Sequence, residues 1–253
     1  MTHPYFDHPG PIAIAHRGGA GVEPENTMRA FERAVAEGYR WLETDVHATS
    51  DGEVVAFHDS SLDRMTDRRG LIRDRPWADV REARVAGTEP IPRLVDLLEA
   101  FPDARFSIDP KHNSAVGPLV DVVRRTGVLD RVCFGAFSDR RLGRLRRELG
   151  DAACIGLGPY GTTAVVLRSR RLPAPLPRHR PDCVQPPFAV RGRPLATARF
   201  VEAAHGLGLS VVTWTVDEVD DLHAVLDAGV DAVITDHPSR LRAVLEARGA
   251  WHA

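Results

Sequence analysis

Short apolar runs recur along the whole chain, and most are separated by segments with a helical pattern. The runs span residues 12–15, 41–46, 53–57, 105–109, 131–137, 153–158, 182–188, 210–216 and 231–236. Between them apolar residues recur every three or four positions, as from Thr27 to Glu37, where Asn26 or Thr27 is suited to cap the helix. Strands that alternate with helices predict parallel strands joined by helical crossovers.

One pair of runs breaks this alternation. Residues 41–50 and 53–57 are joined by Asp51-Gly52, which signals a tight β-hairpin and leaves no room for a helix. Without the hairpin arm eight strands remain, the number that closes a (β/α)8 TIM barrel. The alternative is a doubly wound open sheet, but the segment HRGGAGVEPEN after the first run lacks the GxGxxG pattern of that fold. We therefore predict a single α/β barrel domain over residues 1–253.

Composition narrows the possible partners. The formal net charge of −2 indicates no bulk affinity for nucleic acid. No stretch approaches the roughly 18 apolar residues of a membrane span, and the N-terminus lacks the pattern of a secretory signal. The three cysteines form no Cys-x-x-Cys pair, which argues against zinc ribbons and redox dithiols. We expect buried free thiols in a cytoplasmic protein without integral membrane association, and no pattern indicates an oligomeric state.

Several apolar runs end in ionisable or aromatic residues, and the chemistry of a barrel lies at the C-terminal ends of its strands. In chain order these residues are His16, Arg17, Glu43, Asp45, His58, Asp59, Asp109, Lys111, Trp214 and Asp236. Glu43 and Asp45 are two positions apart and share one strand face, as do Asp109 and Lys111. His47 lies on the face of Glu43 but nearer the turn, so we place it either at the rim of the site or behind the residues that line it.

The predicted mouth gathers three carboxylates that repel one another unless a cation lies among them. Because no cysteine and no His-x-His pair accompanies them, the carboxylates of Glu43, Asp45 and Asp109 favour Mg²⁺ or Ca²⁺ over Zn²⁺. His16 and His58 come from different elements and are suited to act as base and acid near neutral pH. Each of these ionisable residues alone has an ordinary structural explanation. Their common location at the C-terminal ends of the predicted strands favours a site for phosphoryl chemistry.

Five stretches of the chain resemble the glycerophosphodiester phosphodiesterase family. They are HRG…PENTMRAF (16–31), LETDVHATSDGEVVAFHD (42–59), IPRLVDLLEAFP (91–102), SIDPK (107–111) and VVTWTVDEVDDLHAVLDAGVDAVITDHP (211–238). The order of HRG, PENT, E-x-D and a later HD is highly specific, and the match runs nearly from end to end. The resemblance implies a distorted (β/α)8 barrel and hydrolysis of glycerophosphodiesters to sn-glycerol 3-phosphate and an alcohol.

The resemblance also implies roles for individual residues. His16 and His58 resemble the general acid–base pair. One divalent ion, Mg²⁺ or Ca²⁺, would be held by Glu43, Asp45 and Asp109. The residues that resemble the substrate-binding groups are Arg17, Glu25, Lys111 and Trp214. One departure stands out, because the family's third ligand is usually Glu in an E-x-K pattern, whereas Asp109 is one methylene shorter.

Two alternatives stay open at this point. One is a related phospholipase D-like enzyme that acts on lysophospholipids. The other is a catalytically silent protein that binds glycerophosphodiesters, which would be expected to lack one of the two histidines. The Pro- and Arg-rich segment 168–181 is predicted to be a long surface loop, and a second interpretation places it at the mouth after the fifth strand, where it would attract anionic head groups.

Overall fold

The apolar runs form a closed parallel barrel in a computed structural model of the protein, in which residues 3–252 are described. In chain order the strands are β1 Ile12–Ala15, β2 Trp41–Ala48, β3 Val54–Ala56, β4 Arg84–Val85, β5 Glu89–Pro90, β6 Arg105–Pro110, β7 Val132–Phe134, β8 Cys154–Leu157, β9 Cys183–Val184, β10 Ala189–Val190, β11 Arg193–Pro194, β12 Ser210–Thr213 and β13 Ala232–Thr235. The barrel order is β1, β2, β6, β7, β8, β9, β12 and β13, and β13 pairs again with β1. This closure confirms the (β/α)8 prediction and excludes the open sheet.

Helices follow the barrel strands and cover the outside of the barrel. They are α1 Met28–Ala36, α2 Trp77–Val80, α3 Leu94–Ala100, α4 Val116–Thr126, α5 Asp139–Leu149, α6 Pro159–Ser169, α7 Ala198–His205, α8 Val219–Asp227 and α9 Pro238–Ala247. Thr27 caps α1, because its hydroxyl accepts the Ala30 N–H at 3.3 Å. Within residues 3–252, no helix combines the length and the apolar character that crossing a membrane requires.

The predicted hairpin is present, and it widens the barrel wall beside β2. β3 pairs antiparallel with β2, with Val46 opposite Ala56, and Gly52 adopts a φ of 90° in the turn. The connection from β3 to α3 then folds over its own apolar cluster, which includes Leu62 and Ile72. This excursion places His58 and Asp59 beside the end of β2.

Two apolar layers hold the barrel together. One lies between the strands and the helices and includes Phe31, Leu42 and Phe106. The other fills the barrel interior, where Cys133, Cys154 and Cys183 pack with other buried side chains. All three thiols are free and buried, as predicted.

Two details of the sequence-based interpretation were wrong. The apolar run over 182–188, which was predicted to form the sixth barrel strand, forms only the two residues of β9, since Pro186 and Pro187 cannot donate hydrogen bonds to a neighbouring strand. The basic segment 168–181 was placed at the mouth in one interpretation. Its first two residues end α6 and the rest leads into β9, so it lies at the N-terminal end of the barrel, away from the mouth.

Candidate active site

The chain leaves β1 through a tight turn that delivers two side chains to the mouth. The turn spans His16–Gly18, and the backbone has positive φ at Arg17 (52°), Gly18 (83°) and Gly19 (103°). A Cβ atom at Gly18 would lie 2.8 Å from the Cβ of Ala30, so only glycine fits there. The turn also lets the Arg17 backbone N–H donate to Glu43 Oε2 at 3.0 Å.

The two histidines are each held by a carboxylate. His16 Nδ1 lies 2.6 Å from Asp236 Oδ1, and His58 Nδ1 lies 2.7 Å from Asp59 Oδ1. When Nδ1 donates its proton to such an acceptor, Nε2 of the neutral ring becomes the acceptor that faces the site. Burial alone would lower the pKa of His16, but the charge of Glu43 and the hydrogen bond to Asp236 outweigh it and raise the pKa.

Three carboxylates lie at the ends of β2 and β6, and two cations lie among them. Lys111 Nζ is 2.6 Å from Asp45 Oδ1 and 2.8 Å from Asp109 Oδ2. Arg17 Nε is 3.0 Å from Asp45 Oδ2. Glu43 and Asp45 are 7% and 1% exposed, so these charges are largely removed from water.

The electrostatic balance differs among the three carboxylates. Burial and the charge of Asp45 raise the pKa of Glu43 to about 7. Burial would also raise the pKa of Asp45, but the charges of Lys111 and Arg17 lower it. Burial keeps the pKa of Asp109 above its usual value although Lys111 is adjacent. The site therefore holds more buried negative charge than its two cations neutralise.

A divalent ion fits this donor set. Asp109 Oδ1 is buried without a hydrogen-bond partner, and burial together with the charge of Asp45 raises the pKa of the nearby Glu43. Oxygen donors of this kind suit Mg²⁺ or Ca²⁺. In the arrangement described for residues 3–252, no three His, Cys, Asp or Glu side chains are already positioned around an ion. Instead, the ammonium group of Lys111 lies between Asp45 and Asp109, where a cation is needed.

A residue that the sequence analysis did not select connects the two halves of the site. Arg64 Nε lies 2.5 Å from Asp59 Oδ2, and its Nη2 donates to Asp59 Oδ1 at 3.0 Å and to Glu25 Oε1 at 2.8 Å. The hydrogen bond from Arg64 lowers the pKa of Asp59 to about 2. Glu25 Oε2 in turn accepts from Arg17 Nη1 at 3.1 Å. An unbroken series of hydrogen bonds and ion pairs thus runs from His58 to the carboxylates of β2.

Two further contacts complete the mouth. Trp214 is partly buried after β12, its Nε1–H donates to Gln185 O at 2.9 Å, and its ring meets Phe137 edge to face at 5.5 Å. His47 is buried, and its Nε2 lies 3.1 Å from His58 O, so it supports the backbone that carries His58. Of the two positions predicted for His47, the structure favours the one behind the site residues over the rim, because its side chain turns inward.

Comparison with known proteins agrees with this geometry. The model of the "Glycerophosphoryl diester phosphodiesterase family" matches residues 16–240. The chain belongs to this family. The Mycobacterium tuberculosis protein named "Probable glycerophosphodiester phosphodiesterase 2" is 41% identical, over 99% of this chain and 96% of that protein. The rat protein named "Lysophospholipase D GDPD1" is 26% identical, over 92% of this chain and 85% of its own.

A solved structure shares the whole fold. The putative glycerophosphoryl diester phosphodiesterase of Silicibacter pomeroyi matches with a TM-score of 0.82 and 26% identity, over 99% of this chain and 100% of that one. The identification of the chain as a glycerophosphodiester phosphodiesterase, made from its motifs, is confirmed. The roles of individual residues stay predictions.

The structure brings the nine predicted site residues to one end of the barrel. The ion pairs and hydrogen bonds above join eight of them, and Trp214 lies across the mouth after β12. Sequence reasoning missed the functions of Asp59 and Asp236, although both were noted at strand ends. Their positions immediately after a buried strand were the available signal. Arg64 had no such signal, since it lies in the irregular connection that follows β3.

Proposed function

We propose that this protein hydrolyses glycerophosphodiesters to sn-glycerol 3-phosphate and an alcohol in the cytoplasm, with His16 and His58 as the acid–base pair. The observation that supports this most directly is the anchoring of both Nδ1 atoms by carboxylates. Asp236 and Asp59 orient the imidazole rings of the two histidines so that each Nε2 is the nitrogen that exchanges protons with the substrate. Two oriented imidazoles at one mouth suit cleavage of a P–O bond, since one can take a proton from the nucleophile and the other can protonate the leaving alcohol.

One divalent ion, Mg²⁺ or Ca²⁺, is part of the proposal, with Glu43, Asp45 and Asp109 as its ligands. When bound, such an ion polarises a phosphoryl oxygen and offsets charge that develops in the transition state. Arg17 and Lys111 carry the positive charge that orients the non-bridging oxygens of the phosphate.

The remaining groups shape the site around the glycerol moiety. The Trp214 ring offers an apolar face for the glycerol carbons. Glu25 fixes the guanidinium of Arg17 by the contact at 3.1 Å, so that the arginine is already oriented before substrate arrives.

The test is a panel of water-soluble glycerophosphodiesters assayed for release of glycerol 3-phosphate. Wild-type protein should release it, EDTA should abolish the release, and added Mg²⁺ or Ca²⁺ should restore it. His16→Ala and His58→Ala should each lower kcat by about 10²–10⁴-fold with substrate binding retained. His223→Ala, on α8, is the matched control and should leave kcat unchanged.

Each outcome has a clear meaning. Full activity after thorough chelation would refute the proposed requirement for a divalent ion. Near wild-type turnover of His16→Ala or His58→Ala would remove that histidine from the mechanism. Substrate binding without any turnover would favour the silent binding protein.

The second candidate is a lysophospholipase D. It is favoured by the name of the rat relative and by the exposed apolar side chains around the mouth, among them Phe137 and Tyr160. With lysophosphatidylcholine as substrate, this activity releases choline and lysophosphatidate, whereas the first candidate acts on the deacylated diester. Comparing kcat/KM for glycerophosphocholine and lysophosphatidylcholine separates the two.

A further inference from the structure

Exposed apolar side chains of the described residues are concentrated around the mouth. Seven large ones are substantially exposed in residues 3–252, and five of them follow barrel strands at their C-terminal ends. These five are Val22, Phe137, Tyr160, Val190 and Val219. The other two lie elsewhere, Val35 on α1 and Leu172 in the segment that enters β9. Clustering of this kind marks an interaction surface rather than scattered surface residues.

Four of the five form a continuous arc. Phe137, Tyr160, Val190 and Val219 follow β7, β8, β9 and β12, which are neighbours in the barrel. Phe137, Tyr160 and Val190 are 63%, 54% and 49% exposed. Because the Phe137 ring contacts Trp214, the arc is continuous with the active site. The catalytic groups lie on the other side of the mouth, after β1, β2, β3 and β6.

A small hairpin stands at the centre of this arc. β10 and β11 pair antiparallel around Arg191 and Gly192, which have the positive φ values of 51° and 74° that a tight two-residue turn requires. All of residues 190–194 are exposed. At the base of the hairpin the Phe188 N–H donates to Trp214 O at 2.6 Å, so the hairpin is fixed to the wall of the active site.

Tyr160 and Val190 lie in a strongly basic part of the chain and Phe137 immediately precedes it, whereas Val219 is flanked by the exposed Glu218 and Asp220. Residues 138–199 carry 13 Arg against four Asp and Glu, a net charge of +9, whereas residues 1–137 and 200–253 carry −5 and −6. Five of these 13 Arg belong to the segment 168–181 at the opposite end of the barrel. On the mouth side, Arg140, Arg191 and Arg193 are exposed beside the apolar side chains. Around Phe137, Tyr160 and Val190, the apolar rim with its basic neighbours is complementary to a bilayer surface that carries anionic head groups.

We propose that this arc docks the barrel mouth onto an anionic lipid surface. Phe137, Tyr160 and Val190 would enter the head-group region, where aromatic and branched side chains are stable, and the three arginines would pair with lipid phosphates. The orientation turns the catalytic side of the mouth towards the same surface. The proposal concerns binding and does not depend on the chemistry proposed above.

The test measures vesicle binding by co-sedimentation. Wild-type protein should bind vesicles of phosphatidylcholine with about 30 mol% phosphatidylglycerol and bind pure phosphatidylcholine weakly. Binding should weaken when salt rises from about 0.05 M to about 0.5 M. The double variant Tyr160→Ser/Val190→Ser should lose about tenfold or more in vesicle affinity, while its turnover of soluble glycerophosphocholine and its Tm stay unchanged.

The chain supplies matched controls for both kinds of side chain. Val35→Ser/Leu172→Ser removes two exposed apolar residues away from the mouth and should bind like wild type. Arg191→Gln/Arg193→Gln should weaken vesicle binding at low salt. Arg178→Gln/Arg180→Gln should not weaken it, because these exposed arginines lie at the opposite end of the barrel from the mouth.

Three results would overturn the proposal. They are failure of the wild-type protein to bind anionic vesicles at low salt, equal effects of mouth and control pairs, and equal binding to anionic and neutral vesicles. A concentration-dependent dimer that the Tyr160→Ser/Val190→Ser pair abolishes would replace the lipid surface by a second copy of the chain.

Discussion

Arg64 offers a test of whether the orientation of His58 limits turnover. Its guanidinium donates hydrogen bonds to both carboxylate oxygens of Asp59, and Asp59 Oδ1 lies 2.7 Å from His58 Nδ1. The same guanidinium donates to Glu25, which fixes Arg17. Arg64 is therefore a positioning residue that acts on both sides of the mouth through carboxylates, and it has no proposed contact with substrate.

The expected loss follows from the hydrogen bonds that Arg64→Met removes. Charge-assisted hydrogen bonds contribute about 1.5–3 kcal/mol each when well protected. The Arg64 side chain is 50% exposed, so solvent screening reduces each of its two bonds to Asp59 to about 0.5–1 kcal/mol. A total of about 1–2 kcal/mol lost from the oriented state corresponds to a fall of about 5- to 30-fold in kcat.

The assay is steady-state hydrolysis of a soluble glycerophosphodiester with saturating Mg²⁺ or Ca²⁺. We expect Arg64→Met to lower kcat and leave KM within about twofold, because the diester itself does not contact Arg64. Arg64→Lys keeps the charge but loses the planar fork, so it should recover only part of the activity. Arg69→Met, at an exposed arginine of the same connection, is the control and should match wild type in kcat and Tm.

Two outcomes would refute this reasoning. Wild-type kcat in Arg64→Met would mean that Asp59 orients His58 without help. A large fall in Tm together with a rise in KM would mean that Arg64 holds the local fold, and that its effect on turnover is indirect.

Three other predictions use the same measurements. Asp109→Glu should lower activity and raise the metal concentration needed for half-maximal rate, because a metal site tolerates errors of only about ±0.2 Å in its ligand distances. An unchanged Mg²⁺ and Ca²⁺ titration in both Asp109→Glu and Asp109→Ala would remove Asp109 from the ligand set. Arg146→Leu should lower the free energy of unfolding by about 3–5 kcal/mol, measured by urea denaturation. The substitution removes the guanidinium donor from five partly or fully buried carbonyls and leaves the Asp182 carboxylate without its cation. A loss below about 1 kcal/mol would contradict this. Asp217→Asn should be neutral in Tm and kcat, since the carboxylate accepts from the Asp236 N–H and an amide oxygen offers the same acceptor; a clear loss would show that the charge matters.

The barrel was predictable because its signals are local. Each apolar run is a buried strand, and Asp51-Gly52 marks the hairpin without reference to any other part of the chain. The sixth strand was overestimated because its apolar run contains Pro186 and Pro187, which interrupt the ladder after Val184 and leave only an isolated bridge between Pro187 and Trp214.

The position of the basic segment was wrong for a related reason. Its location depends on α6, which starts at Pro159 and contains Gly161, Thr162 and Thr163, so its sequence resembles a loop more than an amphipathic helix. Without α6, the segment 168–181 would follow the fifth strand directly and lie at the mouth. Because α6 was not recognised in the sequence, the second interpretation placed this segment at the wrong end of the barrel.

The candidate site was predictable to the extent that its residues end strands. Asp45 and Asp109 face each other in register on neighbouring strands, which follows from the parallel pairing of β2 with β6. The contacts of Arg64 could not be predicted this way, because no periodic pattern fixes the path between His58 and α3.

The two sides of the mouth have different chemistry, and this separation allows the two proposals to fail independently. The ends of β1, β2 and β6 carry the ionisable groups, whereas the connections after β7, β8 and β9 carry exposed apolar and basic side chains. A soluble glycerophosphodiester needs the first side and the Trp214 ring, so variants of Tyr160 and Val190 on the second side should leave its turnover unchanged. A substrate held in a lipid surface needs both sides, because the enzyme must first reside there. The ratio of the two rates, compared between wild type and Tyr160→Ser/Val190→Ser, therefore isolates docking from catalysis. A ratio that does not change would mean that the arc has no part in presenting substrate.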